Sequence, residues 1–171
     1  GSKRELSPEN GSYISDTVWV NDDKLMYNLF DPNNVNSSNW YTADLNKEIT
    51  FKNQTPILTG SNGDNDLPAP TITDVITENG KSYVLTTQHD QNSGISSVTT
   101  YNLDGMNKVW TKEFVFETGY IADRPRLRFI GNSDTIGGAF VDDMLLVSYS
   151  YSNTEGTDSF PEGAALIPTD K

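Results

Sequence analysis

Three arginines at alternate positions, Arg124, Arg126 and Arg128 in the run RPRLRF, are the side chains whose spacing most directly implies chemistry. In an extended strand, residues two apart share a face, so the three guanidinium groups are expected to project together. Such a row suits a carboxylate, a sulfate or an acidic sugar, each of which accepts paired N–H donors. The competing role is ion pairing within the chain, which carries 24 Asp and Glu against 12 Lys and Arg.

A second cluster lies in QTPILTGSNGDNDLPAP, where Asn62, Asp64 and Asp66 place oxygen side chains at alternate positions. That is a calcium-loop spacing, although the bidentate Glu that closes such loops is missing. Ca2+ is the only cofactor the sequence brings into view, and the alternative is an ordinary loop in which Pro68 and Pro70 block strand pairing. Trp40 and Tyr41 follow the polar run DPNNVNSSN and form a third candidate. Exposed, they could stack on sugar rings while neighbouring amides bond hydroxyls; otherwise they belong to a core.

Catalytic signatures are absent. His89 is the sole histidine, and no G-x-S-x-G, P-loop, H-E-x-x-H or G-x-G-x-x-G pattern accompanies it. With no cysteine, disulfides, thiolate metal sites and Cys nucleophiles are excluded. The reading is therefore non-enzymatic. A net charge of −12 argues against nucleic acid and anionic membranes as partners, since neutralising phosphates requires a basic face. No apolar run reaches the roughly 18 residues of a spanning helix, so direct membrane insertion is not expected either.

The elements that must position these residues are strands. Three stretches share one plan of strand, tight turn, longer apolar strand and polar loop, recurring at intervals of roughly sixty residues. They are TVWV-NDD-KLMYNLF, TDVIT-ENG-KSYVLTTQ and TIGGAFV-DD-MLLVSYSY. Expected hairpin turns fall at residues 21–23, 78–80, 103–105 and 142–143, where Asn, Asp and Gly tolerate tight reversal. The chain thus reads as all-β, one domain over 13–171 with repeats at about 13–55, 71–116 and 134–171. Residues 1–12 form a loose lead-in whose Gly1-Ser2 reads as a cloning scar.

Residues 98–114, VTTYNLDGMNKVWTKEF, resemble the blade signature of quinoprotein-like (PQQ-type) β-propeller repeats of bacterial secreted and periplasmic proteins. Tyr101, Leu103, Asp104, Gly105, Lys108 and Trp110 match that pattern. The first copy retains Ala43-Asp44-Leu45-Asn46-Lys47 but continues to Ile49 instead of Trp, and the third stops at Leu166-Ile167-Pro168-Thr169-Asp170. The resemblance implies propeller-like antiparallel repeats, with Trp110 buried between sheets. Enzymatic members are expected to hold a quinone, often beneath a vicinal cysteine pair; this chain lacks the cysteines and has too few copies to surround an axis. Three copies fit a partial β-propeller or a derived β-sandwich or barrel.

An unfinished third sheet would expose strand edges, to be covered by the segment Ser12–Val20 or by another polypeptide. The function expected is a bacterial extracellular, cell-surface or periplasmic binding or assembly module, a piece of a larger surface protein. Its partner would be a protein or the remainder of the parent chain. The alternative is a carbohydrate-binding or glycan-processing fragment with its site at Trp40 and Tyr41.

Overall fold

Strand after strand in this chain is built on β-branched and aromatic residues, and no helix forms among the described residues. The computed structural model describes residues 8, 11–32, 34–51, 54–60, 69–90, 93, 95–115, 120–130, 135–136, 139–140, 144–153 and 159–168. Two compact units result, Gly1–Pro70 and Thr71–Lys171.

The first unit holds β1 (Tyr13–Asn21), β2 (Lys24–Asp31), β3 (Asn34–Asp44) and β4 (Leu58–Thr59), in that order across one antiparallel sheet. Interior position explains the sequence of β2: Leu25, Met26, Tyr27 and Asn28 are all buried, so both faces of the strand need filling. On one face Leu25, Tyr27 and Ala43 form a cluster that Leu45, Ile49 and Phe51 fold back to cover. Tyr27 stacks on Tyr41 at 5.5 Å and meets Phe51 edge-on at 5.7 Å. Burial and the neighbouring Tyr41 push the Tyr27 phenol up to about 12, against the hydrogen bond it donates to Gln54 Oε1. On the opposite face the buried Asn28 amide is satisfied, its Oδ1 accepting from Ser15 at 2.7 Å and from Ser38 at 2.9 Å.

The second unit contains a four-stranded antiparallel sheet of β5 (Thr71–Glu78), β6 (Lys81–Asp90), β7 (Ile95–Asn102) and β8 (Asn107–Val115). Beyond it come β9 (Tyr120–Ile130), β10 (Thr135–Ile136), β11 (Ala139–Phe140), β12 (Met144–Asn153) and β13 (Ser159–Pro168). Here β12 is central, flanked by β9 and β13, while β10 and β11 pair only with each other. One apolar cluster joins Tyr83, Leu85 and Val98 of the four-stranded sheet to Leu127, Leu145, Val147 and Ile167 of the three-stranded one. Asp74, beside a bulge in β5, adds a polar tie: its Oδ2 accepts from the Leu127 N–H at 2.8 Å.

The expected turns at 21–23, 78–80 and 103–105 are present. Asn79 and Gly80 both take positive φ, 51° and 76°, as the two-residue turn matched to strand twist demands. At Asp22-Asp23 no positive φ occurs; a register shift between Trp19 and Asn21 takes up the twist instead. Residues 142–143 lie outside the described residues.

Three expectations need correcting. The first strand of the last sheet is Tyr120–Ile130, the arginine strand, and not the TIGGAFV segment from residue 134, because Ile136 and Ala139 close a separate small hairpin. Ser12–Val20 does not complete that sheet, since residues 13–21 pair with β2. Trp110 is only partly buried, packed against the shared cluster from β8, the strand at the edge of its sheet.

Candidate binding surface

The face of β12 turned away from the shared cluster assembles the side chains best placed to meet another molecule. Leu145 and Val147 point inward with Leu127 and Ile167, so strand alternation turns Met144, Leu146 and Ser148 outward. Register then lays out rows across the three strands: Arg128, Leu146 and Leu166 in one, Arg126, Ser148 and Ala164 in the next. Ile130, Met144 and Pro168 form the third. Arg126, Arg128 and Ala164 are exposed, and Leu166 keeps 46% of its surface. Rows lie about 7 Å apart along a strand, and the three strands span roughly 10 Å. Ile130 is buried, so the open part of this face is a small platform with Arg126 and Arg128 on β9, Leu146 and Ser148 on β12, and Ala164 and Leu166 on β13.

Arg124 does not continue the arginine row. Ser148 pairs with Arg126 but Ser150 with Asp123, so one extra residue is accommodated at Arg124-Pro125. Pro125 has no N–H to give the ladder, which is where a strand bulges. By register Asp123 takes the position next to Arg126 that strict alternation assigns to Arg124.

The Trp40 and Tyr41 pair falls on opposite faces of β3, opposite Asn28 and Tyr27 respectively. Trp40 is only 2% exposed, and its indole N–H donates to the Pro70 carbonyl at 2.9 Å. A ring held in this way offers no face to a sugar. Tyr41 is half-buried in the Tyr27 stack. Asn62, Asp64 and Asp66 lie outside the described residues; among those described, no group of three or more His, Cys, Asp or Glu is placed to hold a metal ion.

His89 does meet a hydroxyl, its Nδ1 lying 2.7 Å from Ser96 Oγ on the neighbouring strand. A base beside a hydroxyl is the beginning of a nucleophile pair. Ser96, however, is 2% exposed, so the contact ties β6 to β7 and leaves no hydroxyl for a substrate to reach.

No family model, curated relative or solved structure matches this chain. The residues themselves must carry the functional reading.

Two surface features escaped the sequence argument. Trp19 on β1, at the edge of its sheet, is 63% exposed, and Tyr13 on the same strand is half-exposed, its ring 5.2 Å from Phe30. The signal for Trp19 was available: in Val18-Trp19-Val20, inward valines turn the residue between them outward. Leu146 and Leu166 had no such signal, because MLLV is apolar throughout and alternation cannot choose a face.

Proposed function

We propose that this chain is a non-enzymatic binding or assembly module of a bacterial extracellular or periplasmic protein, using the outer face of β9, β12 and β13 as its contact surface. The observation that carries the reading is the row Arg128, Leu146, Leu166, in which an exposed guanidinium on one side of Leu146 and an aliphatic side chain left almost half in water on the other share one face. Arginine beside an apolar patch is the composition that interfaces favour, because the apolar part supplies desolvation and the guanidinium supplies orientation. The four-stranded meander of β5 to β8, with its Leu103–Met106 turn and Trp110 resting on the cluster, supports kinship with a propeller blade as part of this reading.

A second reading, carbohydrate binding, is favoured by Trp19. Its ring stands exposed on an edge strand two residues from Asn21 and close in sequence to Asp22 and Asp23, all exposed. Trp19 replaces Trp40 as the stacking platform in that case.

Peptide and glycan arrays probed with the wild-type chain, Leu166→Lys and Trp19→Ala separate the two. Saturable binding lost in Leu166→Lys and kept in Trp19→Ala is the expected result. Binding that ignores Leu166→Lys overturns the contact surface, and sugar binding lost in Trp19→Ala transfers the function to β1.

A further inference from the structure

We infer that the edge of β1 is a docking site for an extended, cationic segment of another polypeptide, which gives a backbone N–H to the carboxylate of Asp16. The site is independent of the platform on β9, β12 and β13, and its geometry occurs twice in the chain. Ile14-Ser15-Asp16 in β1 recurs as Ile72-Thr73-Asp74 in β5. Both strands shift register inside the triplet, so each accommodates one extra residue there. In both, the Asp Oδ1 accepts the next N–H, from Thr17 at 2.7 Å and from Val75 at 3.0 Å. The hydroxyl before it donates to the carbonyl of the residue facing the Asp, Ser15 to Asn28 at 3.5 Å and Thr73 to Leu85 at 3.2 Å.

The two copies differ at the second carboxylate oxygen. Asp74 Oδ2 accepts the Leu127 N–H of β9, a strand of another sheet that packs against β5, and residues 73–77 are partly buried there. At the corresponding place β1 is the edge of its sheet, and Ser15, Asp16, Thr17 and Trp19 are all exposed. A carboxylate held by its own backbone at one oxygen presents the other in a fixed direction, and in β5 that direction suits a neighbouring N–H. An edge strand also keeps backbone groups with which an incoming segment can pair. Charge sets the class of segment. Trp19, 63% exposed, is preceded by Asp16 and followed by Asp22 and Asp23, all exposed. An indole face with carboxylates before and after it favours Lys or Arg. Trp19 lies three residues from Asp16, about 10 Å along the strand, so the cation stands about three residues from the N–H donor. A second copy of the chain is a poor occupant, since each copy carries a charge of −12 and its β9 is already held by Asp74.

The test uses the segment that already makes this contact in β5: a capped synthetic peptide of residues 120–130, a form N-methylated at Leu127, and a form with Glu at its three arginines. Binding to the whole chain is followed by fluorescence anisotropy and by backbone chemical shifts. Asp16→Asn keeps an oxygen for the Thr17 N–H and puts an NH2 where the incoming N–H needs an acceptor. The arginine peptide should bind the wild type and shift the amides of 15–19. It should lose about tenfold in affinity to Asp16→Asn and about threefold to Trp19→Ala. N-methylation should cost the same factor on the wild type and nothing further on Asp16→Asn, because both changes remove one hydrogen bond. The Glu form should not bind. Asp16 is exposed, so circular dichroism and melting of Asp16→Asn should match the wild type. Losses that add, shifts confined to 71–78, or no binding of the arginine peptide overturn the site. Wild-type dimers in sedimentation that Asp16→Asn dissolves would overturn the foreign polypeptide in favour of a second copy.

Discussion

The turn at Asp44–Lys47 in the first unit and the turn at Asn102–Gly105 in the second close with the same hydrogen bonds and then part ways. In each, an Asx side chain accepts the N–H two residues on, at 3.0 Å in both: Asn46 to Asp44, Asp104 to Asn102. In each, the following leucine donates its N–H across the sheet, Leu45 to the Asp23 carbonyl at 2.7 Å and Leu103 to the Ser82 carbonyl at 2.8 Å. After Asn102 the chain enters β8 and pairs along β7 from Asn107 to Val115. After Asp44 no strand forms among the described residues before Leu58, and Ile49 and Phe51 pack on the Tyr27 cluster instead. Local turn chemistry therefore sets the reversal, and the need to cover an apolar face decides the path the chain takes next.

The largest test of this contrast compares the tryptophans. Trp40→Ala removes a buried indole and leaves the Pro70 carbonyl without its donor, and should cost about 3–5 kcal/mol. Trp110→Ala, from a partly buried edge-strand site, should cost roughly 2 kcal/mol. Urea unfolding measures both, and a larger loss at Trp110 would restore the expectation that it wedges between sheets.

Next come the leucines of the two turns. Leu103 is 7% exposed, whereas Leu45 is only partly buried at the margin of its cluster. Leu103→Ala should lose about 2–3 kcal/mol and Leu45→Ala about 1 kcal/mol. Equal losses would mean that the covering segment in the first unit is packed as tightly as a strand.

Buried polar groups differ in the same direction. Asn28 has two hydroxyl donors, while Thr100, fully buried with Leu85 on one side and Trp110 on the other in register, has an Oγ1 with no partner. Thr100→Val should therefore stabilise by about 1 kcal/mol, since it removes a desolvated hydroxyl at nearly constant shape. Asn28→Ala should destabilise by about 1–3 kcal/mol, since it strands Ser15 and Ser38. A Thr100→Val variant that melts lower than wild type would show that the hydroxyl does have a partner.

The all-β architecture and three turns were legible because strand periodicity and the Asn-Asp-Asp, Asn-Gly and Asp-Gly signals are local. β2 and β6 read as long apolar runs for the same reason they sit inside their sheets: both faces are buried. What was not legible depended on distance in sequence. Nothing near Trp40 reveals that the Pro70 carbonyl, 30 residues on, takes its N–H. The arginine strand was visible as a strand, yet its pairing with β12 and the bulge at Pro125 that displaces Arg124 depend on a partner more than a dozen residues away. Asp44-Leu45-Asn46-Lys47 was readable as a counterpart of Asn102-Leu103-Asp104-Gly105, and the two turns do share their hydrogen bonds.

The smallest effect isolates the ion pair of the first turn. Lys47 Nζ lies 3.0 Å from Asp44 Oδ2, and the residue three after Asn102 is Gly105, which can supply no such partner. The hydrogen bond from Lys47, then the one from the Asn46 N–H, hold the Asp44 carboxyl below its ordinary value. A group depressed in the folded state adds stability that is complete above its unfolded value and vanishes as pH falls through the folded one. Asp44→Asn keeps the Asx acceptor for Asn46 and loses only the charge. The wild type should therefore melt slightly above Asp44→Asn at neutral pH, and the gap should close on acidification below the ordinary carboxylate value of about 4. Added salt should shrink the neutral-pH gap, because the pair is solvent-facing. Asn102→Asp places a carboxylate close to Asp104, with Gly105 where the first turn has Lys47, and should give no gain at any pH. A gap in Asp44→Asn that persists unchanged into acid would mean that Lys47 does not stabilise its turn through charge and that the two turns are electrostatically equivalent.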